Sequence, residues 1–73
     1  MRKRKVIDDY IEDGWLIDEK ATMKRKDTNV VYKSGDVRLL YDRQKDRLIS
    51  CYILKRNHMV ASYYLAGDGD NES

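Results

Sequence analysis

Few side chains in this chain are equipped for chemistry. His58 is its one histidine and Cys51 its one cysteine, among 13 carboxylates and 15 lysine and arginine side chains in 73 residues. A serine–histidine–aspartate or cysteine–histidine set needs a base held against a nucleophile, and no spacing here supplies one. One histidine and one cysteine fall short of a four-ligand zinc site. The paired acids Asp8-Asp9 and Glu12-Asp13 fall on a predicted helix, where neighbours point to different faces, so they do not form a general acid/base dyad. The four glycines belong to turns and to the C-terminal tail rather than to a phosphate-cradling loop. The expectation is therefore no cofactor, no metal and no dedicated catalytic set. Cys51 sits in an apolar stretch and reads as a small core residue of a reducing cytoplasm.

The charges are more informative than their sum. The net charge is +2, yet the signs come in blocks. Arg2, Lys3, Arg4 and Lys5 open the chain. Asp8, Asp9, Glu12, Asp13, Asp18 and Glu19 follow, then Lys20, Lys24, Arg25 and Lys26. Asp68, Asp70 and Glu72 end it. Blocks of this kind produce local fields suited to a charged partner. Lys24, Arg25 and Lys26, with Arg43, Lys45 and Arg47, are candidates for tracking phosphates, and tyrosines can stack on bases. Six tyrosines stand against no phenylalanine. Tyrosine keeps its hydroxyl wet while its ring is covered, which suits contact surfaces. No apolar run approaches the roughly 18 residues that span a membrane, and no apolar stretch follows the basic start as in a secretory signal.

These residues must be positioned by strands. Val37–Tyr41, Leu48–Tyr52 and Met59–Tyr63 repeat at a spacing of eleven residues, each ending in tyrosine. Polar stretches separate them, which predicts an up-and-down antiparallel meander. Leu48 to Leu54 is apolar at alternate positions in both phases, so it is expected to be the central strand, dry on both faces. Asp27-Thr28-Asn29 is turn-like and suggests a hairpin between strands at 21–26 and 29–33. Val6, Ile7, Tyr10 and Ile11 make an apolar stripe on a helix expected over residues 3–13. Gly14 follows as its C-terminal cap, with Trp15 folding back on Tyr10. That helix has a basic first turn and an acidic last turn, both opposed to its dipole. Charges that serve a helix poorly suggest service to a partner.

One stretch resembles a family. Ser34-Gly35-Asp36-Val37-Arg38-Leu39-Leu40-Tyr41 resembles a sheet strand of RelE-type ribosome-dependent ribonuclease toxins. The order that follows is also similar: a turn at Lys45-Asp46, the apolar strand Leu48–Leu54, the basic segment Lys55-Arg56-Asn57-His58 and the strand Met59–Leu65. The resemblance covers residues 34–65. It implies phosphate-contacting or acid/base roles for Arg38 and for Arg56 or His58, and proton transfer or stacking for Tyr64 or Tyr63. In size and composition the whole chain also resembles small phage-encoded inhibitors of host RNA polymerase, a class without a defining motif.

The expected architecture is an α+β domain over residues 1–66, with one short N-terminal helix packed on a four- or five-stranded antiparallel meander, and a disordered acidic tail over 67–73. The leading expectation for function is a non-enzymatic regulator or inhibitor that binds a protein of the transcription or other nucleic-acid machinery, such as host RNA polymerase. Its partner-binding residues are expected to be Arg2, Lys3, Arg4, Lys5, Tyr10 and Trp15. Direct nucleic-acid binding and the ribonuclease are the alternatives. The chain is expected to be a monomer, or a weak dimer if the second dry face of the central strand pairs with itself.

Overall fold

In a computed structural model, which describes residues 4–65, five antiparallel strands follow one another in chain order across a single sheet. They are β1 (Leu16–Ile17), β2 (Asn29–Ser34), β3 (Val37–Asp42), β4 (Arg47–Lys55) and β5 (His58–Tyr64). Two short helices, α1 (Asp8–Glu12) and α2 (Glu19–Met23), precede β2. The meander therefore exists, with the three tyrosine-bearing blocks as β3, β4 and β5. Its turns are set by local chemistry. Gly35, at φ +59°, opens the two-residue loop between β2 and β3. Arg56 and Asn57, both with positive φ, form the β4–β5 turn, and two such residues in succession match the right-handed twist of a hairpin. Asp42 closes the β3–β4 turn by accepting the N–H groups of Gln44 and Lys45, each at 3.0 Å.

Cross-strand pairing sorts the side chains onto two faces. Tyr32, Leu39, Cys51 and Tyr63 stand in one row on the first face. Lys33, Arg38, Tyr52 and Ser62 stand in the adjacent row on the second. The core of the first face is Tyr32, Leu39, Tyr41 and Ile7, with Tyr10, Trp15, Val30, Leu48 and Cys51 against it. Val31 and Leu40 are buried on the second face.

Several expectations need correction. The strand dry above and below is not Leu48–Leu54. Every residue of β4 from Leu48 to Leu54 is only half-buried, and burial peaks on β2 and β3, at Val31, Tyr32, Leu39, Leu40 and Tyr41. The physical reason is position: β4 has a well-exposed edge strand, β5, on one side, and the sheet's main helix contact, from α2, falls on β2 instead. A bulge also interrupts the alternation. Tyr41 pairs with Leu48 and Leu40 with Ser50, so Ile49 is extra, and Leu48 joins the first face beside Cys51. The second face of β4 then carries Ser50, Tyr52 and Leu54 rather than the apolar row expected there.

The segment read as a strand at 21–26 is α2 with its C-terminal turn. Asp18 caps it, its side chain accepting the Ala21 N–H at 3.1 Å. β2 pairs instead with the two residues of β1. Where β1 stops, Asp18 N–H donates to the Val31 carbonyl at 2.8 Å and Thr22 Oγ1 accepts the Val31 N–H at 2.9 Å. α2 thus finishes the sheet edge that β1 leaves bare.

The N-terminal helix is shorter than residues 3–13. It starts at Asp8, so Asp8 and Asp9 form an acidic first turn that favours the dipole. Arg4 and Lys5 lie before the helix, which withdraws the argument from a basic first turn. A five-residue helix has no stability of its own. It is held through Ile7, 4% exposed among Tyr32, Leu39 and Tyr41, and through a bond from Val6 N–H to Asp46 Oδ1 at 2.9 Å. The cap forms: Gly14 has φ +99°, Trp15 N–H donates to the Tyr10 carbonyl at 3.0 Å, and the two rings meet edge to face at 5.5 Å.

Candidate functional site

α1 and β1 leave apolar surface uncovered where they meet. Ile11, Trp15, Leu16, Ile17 and Tyr32 line a cleft of about 400 Å³, together with Glu19. Ile11 is 48% exposed, Leu16 65% and Ile17 49%, around a half-buried Trp15. The cause is local. β1 is a two-residue edge strand, and among the described residues no strand lies beyond Leu16 and Ile17. Trp15 is fixed by the glycine turn and by Tyr10. Contiguous apolar side chains beside polar ones, with a rigid aromatic among them, make a surface suited to another protein. The charged residue of the cleft is Glu19; Asp13 follows nearby in the chain, while Glu12 is paired with Arg4.

The basic arm is only partly the free feature expected. Arg4 is engaged by Glu12, at 2.9 Å, and by Asp9, which together hold its guanidinium even more firmly charged than usual. Lys5 is exposed, and its N–H donates to Asp8 Oδ2. Arg2 and Lys3 lie outside the described residues, as does the tail over 67–73. Tyr10 and Trp15 stand beside the cleft, and Trp15 lines it.

A second depression lies on the opposite face of the sheet, between α2 and β4. It is an open groove of about 620 Å³ lined by Asp18, Lys20, Ala21, Lys24, Arg25, Arg38, Tyr52, Leu54 and Asn57. Arg38 is committed there: its Nε donates to Asp18 Oδ2 at 2.8 Å and its Nη1 to the carbonyls of Gly35 and Val37. Both partners of this pair are mostly covered, at 16% and 17% side-chain exposure. The Asp18 carboxyl is held below its ordinary value, first by the Ala21 N–H and then by Arg38, against the opposing effect of burial.

The residues implied by the ribonuclease resemblance do not converge. His58 pairs with Lys55 at one end of β5 and Tyr64 with Ser50 at the other, about 20 Å apart at 3.3 Å per residue. Arg38 faces Asp18 rather than either. Of the phosphate-tracking candidates, Lys24 and Arg25 line the groove. Lys26 is exposed beyond α2. Arg43 is occupied in the fold, its guanidinium donating twice to the Asp27 carbonyl. Lys45 lies in the β3–β4 turn and Arg47 begins β4, both at the far end of the sheet from Arg38 and Tyr52.

Ile11, Leu16, Ile17, Lys20 and Tyr52 belong to these sites without having been expected there. The signal for Lys20 was present. Asp18 before Glu19-Lys20-Ala21 is a helix start, and a helix puts Lys20 and Lys24 on one face. No protein-family model matches the chain, and neither a curated protein nor a solved structure is significantly similar to it. Among the described residues no helix is long and apolar enough to cross a membrane, and no group of three or more histidine, cysteine or acidic side chains could hold a metal ion.

Proposed function

We propose that this chain is a small non-enzymatic protein-binding regulator of the cytoplasm that docks through the Ile11–Trp15–Leu16–Ile17 cleft. The observation that carries the reading is the exposure of Leu16, Ile17 and Ile11 around a tryptophan held rigid by Tyr10. Apolar anchors of this kind dominate binding energy when a partner excludes water from them. Glu19 in the cleft, with Asp13 near it in the chain, gives the chemistry of that partner: an apolar side chain beside basic ones, as on surfaces that otherwise hold nucleic acid. Transcription machinery such as host RNA polymerase has such surfaces, and the likeness in size and composition to phage-encoded polymerase inhibitors supports the same reading. The protein acts by occupying that surface, with no bond made or broken.

The test uses Leu16→Asp. Leu16 is mostly exposed, so the change leaves the fold intact and places a carboxylate in the cleft. A photo-crosslinking residue at Ile11, with purified host RNA polymerase and then whole lysate, identifies what covers the cleft. The expected result is one dominant adduct that Leu16→Asp weakens at least tenfold, with transcription by the adducted complex reduced. Equal crosslinking by both proteins, or labelling spread evenly over lysate proteins, overturns the reading.

A further inference from the structure

The second face of the sheet carries a different pattern, and it does not depend on the cleft. Three cations line the groove without an ion pair among the described residues: Lys20, Lys24 and Arg25. Asp18 is the carboxylate among the lining residues, and Arg38 consumes its charge at 2.8 Å. The groove is thus locally more positive than a molecule of net charge +2 requires. Lys20 and Lys24 are four residues apart and form a rail along α2.

Aromatic surface lies beside that rail. Tyr52 lines the groove with the Arg25 guanidinium 5.8 Å from its ring centroid. On the same face Tyr64 pairs with Ser50, so it is the diagonal neighbour of Tyr52, at about 7–8 Å in an antiparallel pair. Tyr64 is 74% exposed, and Ser50 and Ser62 between the rings leave the platform low. Nothing in the fold requires an exposed tyrosine at the end of an edge strand.

We infer that this face binds a short stretch of single-stranded nucleic acid, its phosphates along Lys20, Lys24 and Arg25 and its bases on Tyr52 and Tyr64. Phosphate alone is served by the lysines. The adjoining rings add the stacking that separates an unpaired strand from a duplex, whose bases are already stacked. The Arg25 guanidinium lies over the half-buried Tyr52 ring, so the base at that position stacks on the guanidinium plane that covers the ring.

The experiment measures fluorescence anisotropy of a short labelled oligouridine and of a labelled duplex with the full chain. The expected single-strand affinity falls with salt at a log–log slope of about −2, from three phosphate contacts at roughly −0.7 each. Lys20→Ser with Lys24→Ser brings that slope to about −0.7. Tyr64→Ala, at an exposed site, weakens the single strand roughly tenfold and leaves the slope unchanged. Circular dichroism and melting of each variant confirm an intact fold. Duplex binding as tight as single-strand binding, displacement by polyglutamate as readily as by oligouridine, or full affinity in the Lys20→Ser/Lys24→Ser variant overturns the inference. The Leu16→Asp protein serves as a control, since loss of the protein partner leaves this titration unaltered.

Discussion

Asp46 does several things at once for a residue of a surface turn. It has φ +53°, a conformation asparagine and aspartate tolerate better than most. Its Oδ1 accepts the Tyr41 hydroxyl at 2.5 Å and the Val6 N–H at 2.9 Å, so it ties the N-terminal segment to the core. Tyr41 is almost fully buried, and its hydroxyl ionises only well above the ordinary value, because of burial first and of Asp46 second. The folded value lies above the unfolded one, so this contribution is complete below about pH 10 and is lost as pH rises through the folded value. Tyr32 is shifted in the same direction, chiefly by burial. Tyr41→Phe is expected to cost about 1.5 kcal/mol at pH 7, roughly 6–12 °C in Tm. It is also expected to flatten the fall in stability above pH 10. Urea melts of both proteins from pH 7 to 11 check both statements. Parallel curves throughout would mean that the hydroxyl contributes nothing of the kind.

At the scale of elements the molecule manages its two sheet edges differently. The β1 edge is finished by α2: Thr22 Oγ1 takes the N–H of Val31, a residue with no exposed surface. Thr22→Val keeps the shape and removes the acceptor, so a fully buried N–H is left unpaired. A loss of about 1–3 kcal/mol is expected, with faster exchange of the Val31 amide, while Thr22→Ser retains most of the stability. The other edge, β5, has Met59, Val60, Tyr63 and Tyr64 exposed. The three strands β3 to β5 were legible because each repeats an apolar block between turn residues. The β4 bulge was not, since a skipped residue leaves alternation intact on either side. α2 was misread for a physical reason: Thr22 and Met23 suit strand or helix, and what decides is the Asp18 cap with the bare edge of β2 to cover. Of the apolar stripe Val6, Ile7, Tyr10 and Ile11, spacing placed Ile7 in the core and Tyr10 half-buried beside Trp15, but Val6 and Ile11 stay exposed because the helix is only five residues long. The exposure of Leu16 and Ile17 did not, because an apolar pair in sequence does not show whether a neighbouring strand exists.

Across the whole molecule, the cleft and the groove open on opposite sides of the sheet and meet at one residue. Ile17 and Glu19 line the cleft, and Asp18 between them lines the groove. Asp18 caps α2 with one oxygen and holds Arg38 with the other. Its carboxyl has a lowered folded value, so its contribution is present above the ordinary carboxylate value and is lost as pH falls through the folded one. Sites this close do not behave additively. Asp18→Ala removes a cap worth about 1 kcal/mol and a charged bond worth about 1.5–3 kcal/mol, and leaves the Arg38 charge, already in the groove, without its carboxylate. The Val31 edge contacts come from the Asp18 N–H and the Thr22 hydroxyl and stay, but the first turn of α2 loses its cap, which loosens Glu19 and Lys20 together. The expected outcome is a weaker protein partner and a changed oligouridine salt slope in this one variant, with the slope steeper by about 0.7 if Arg38 becomes a phosphate contact. Leu16→Asp and Lys24→Ser each affect one ligand alone. Anisotropy and crosslinking on the three proteins, at a temperature where all remain folded, decide the matter. An Asp18→Ala protein that binds both ligands as the parent does would separate the two faces and leave α2 as a mere edge cover.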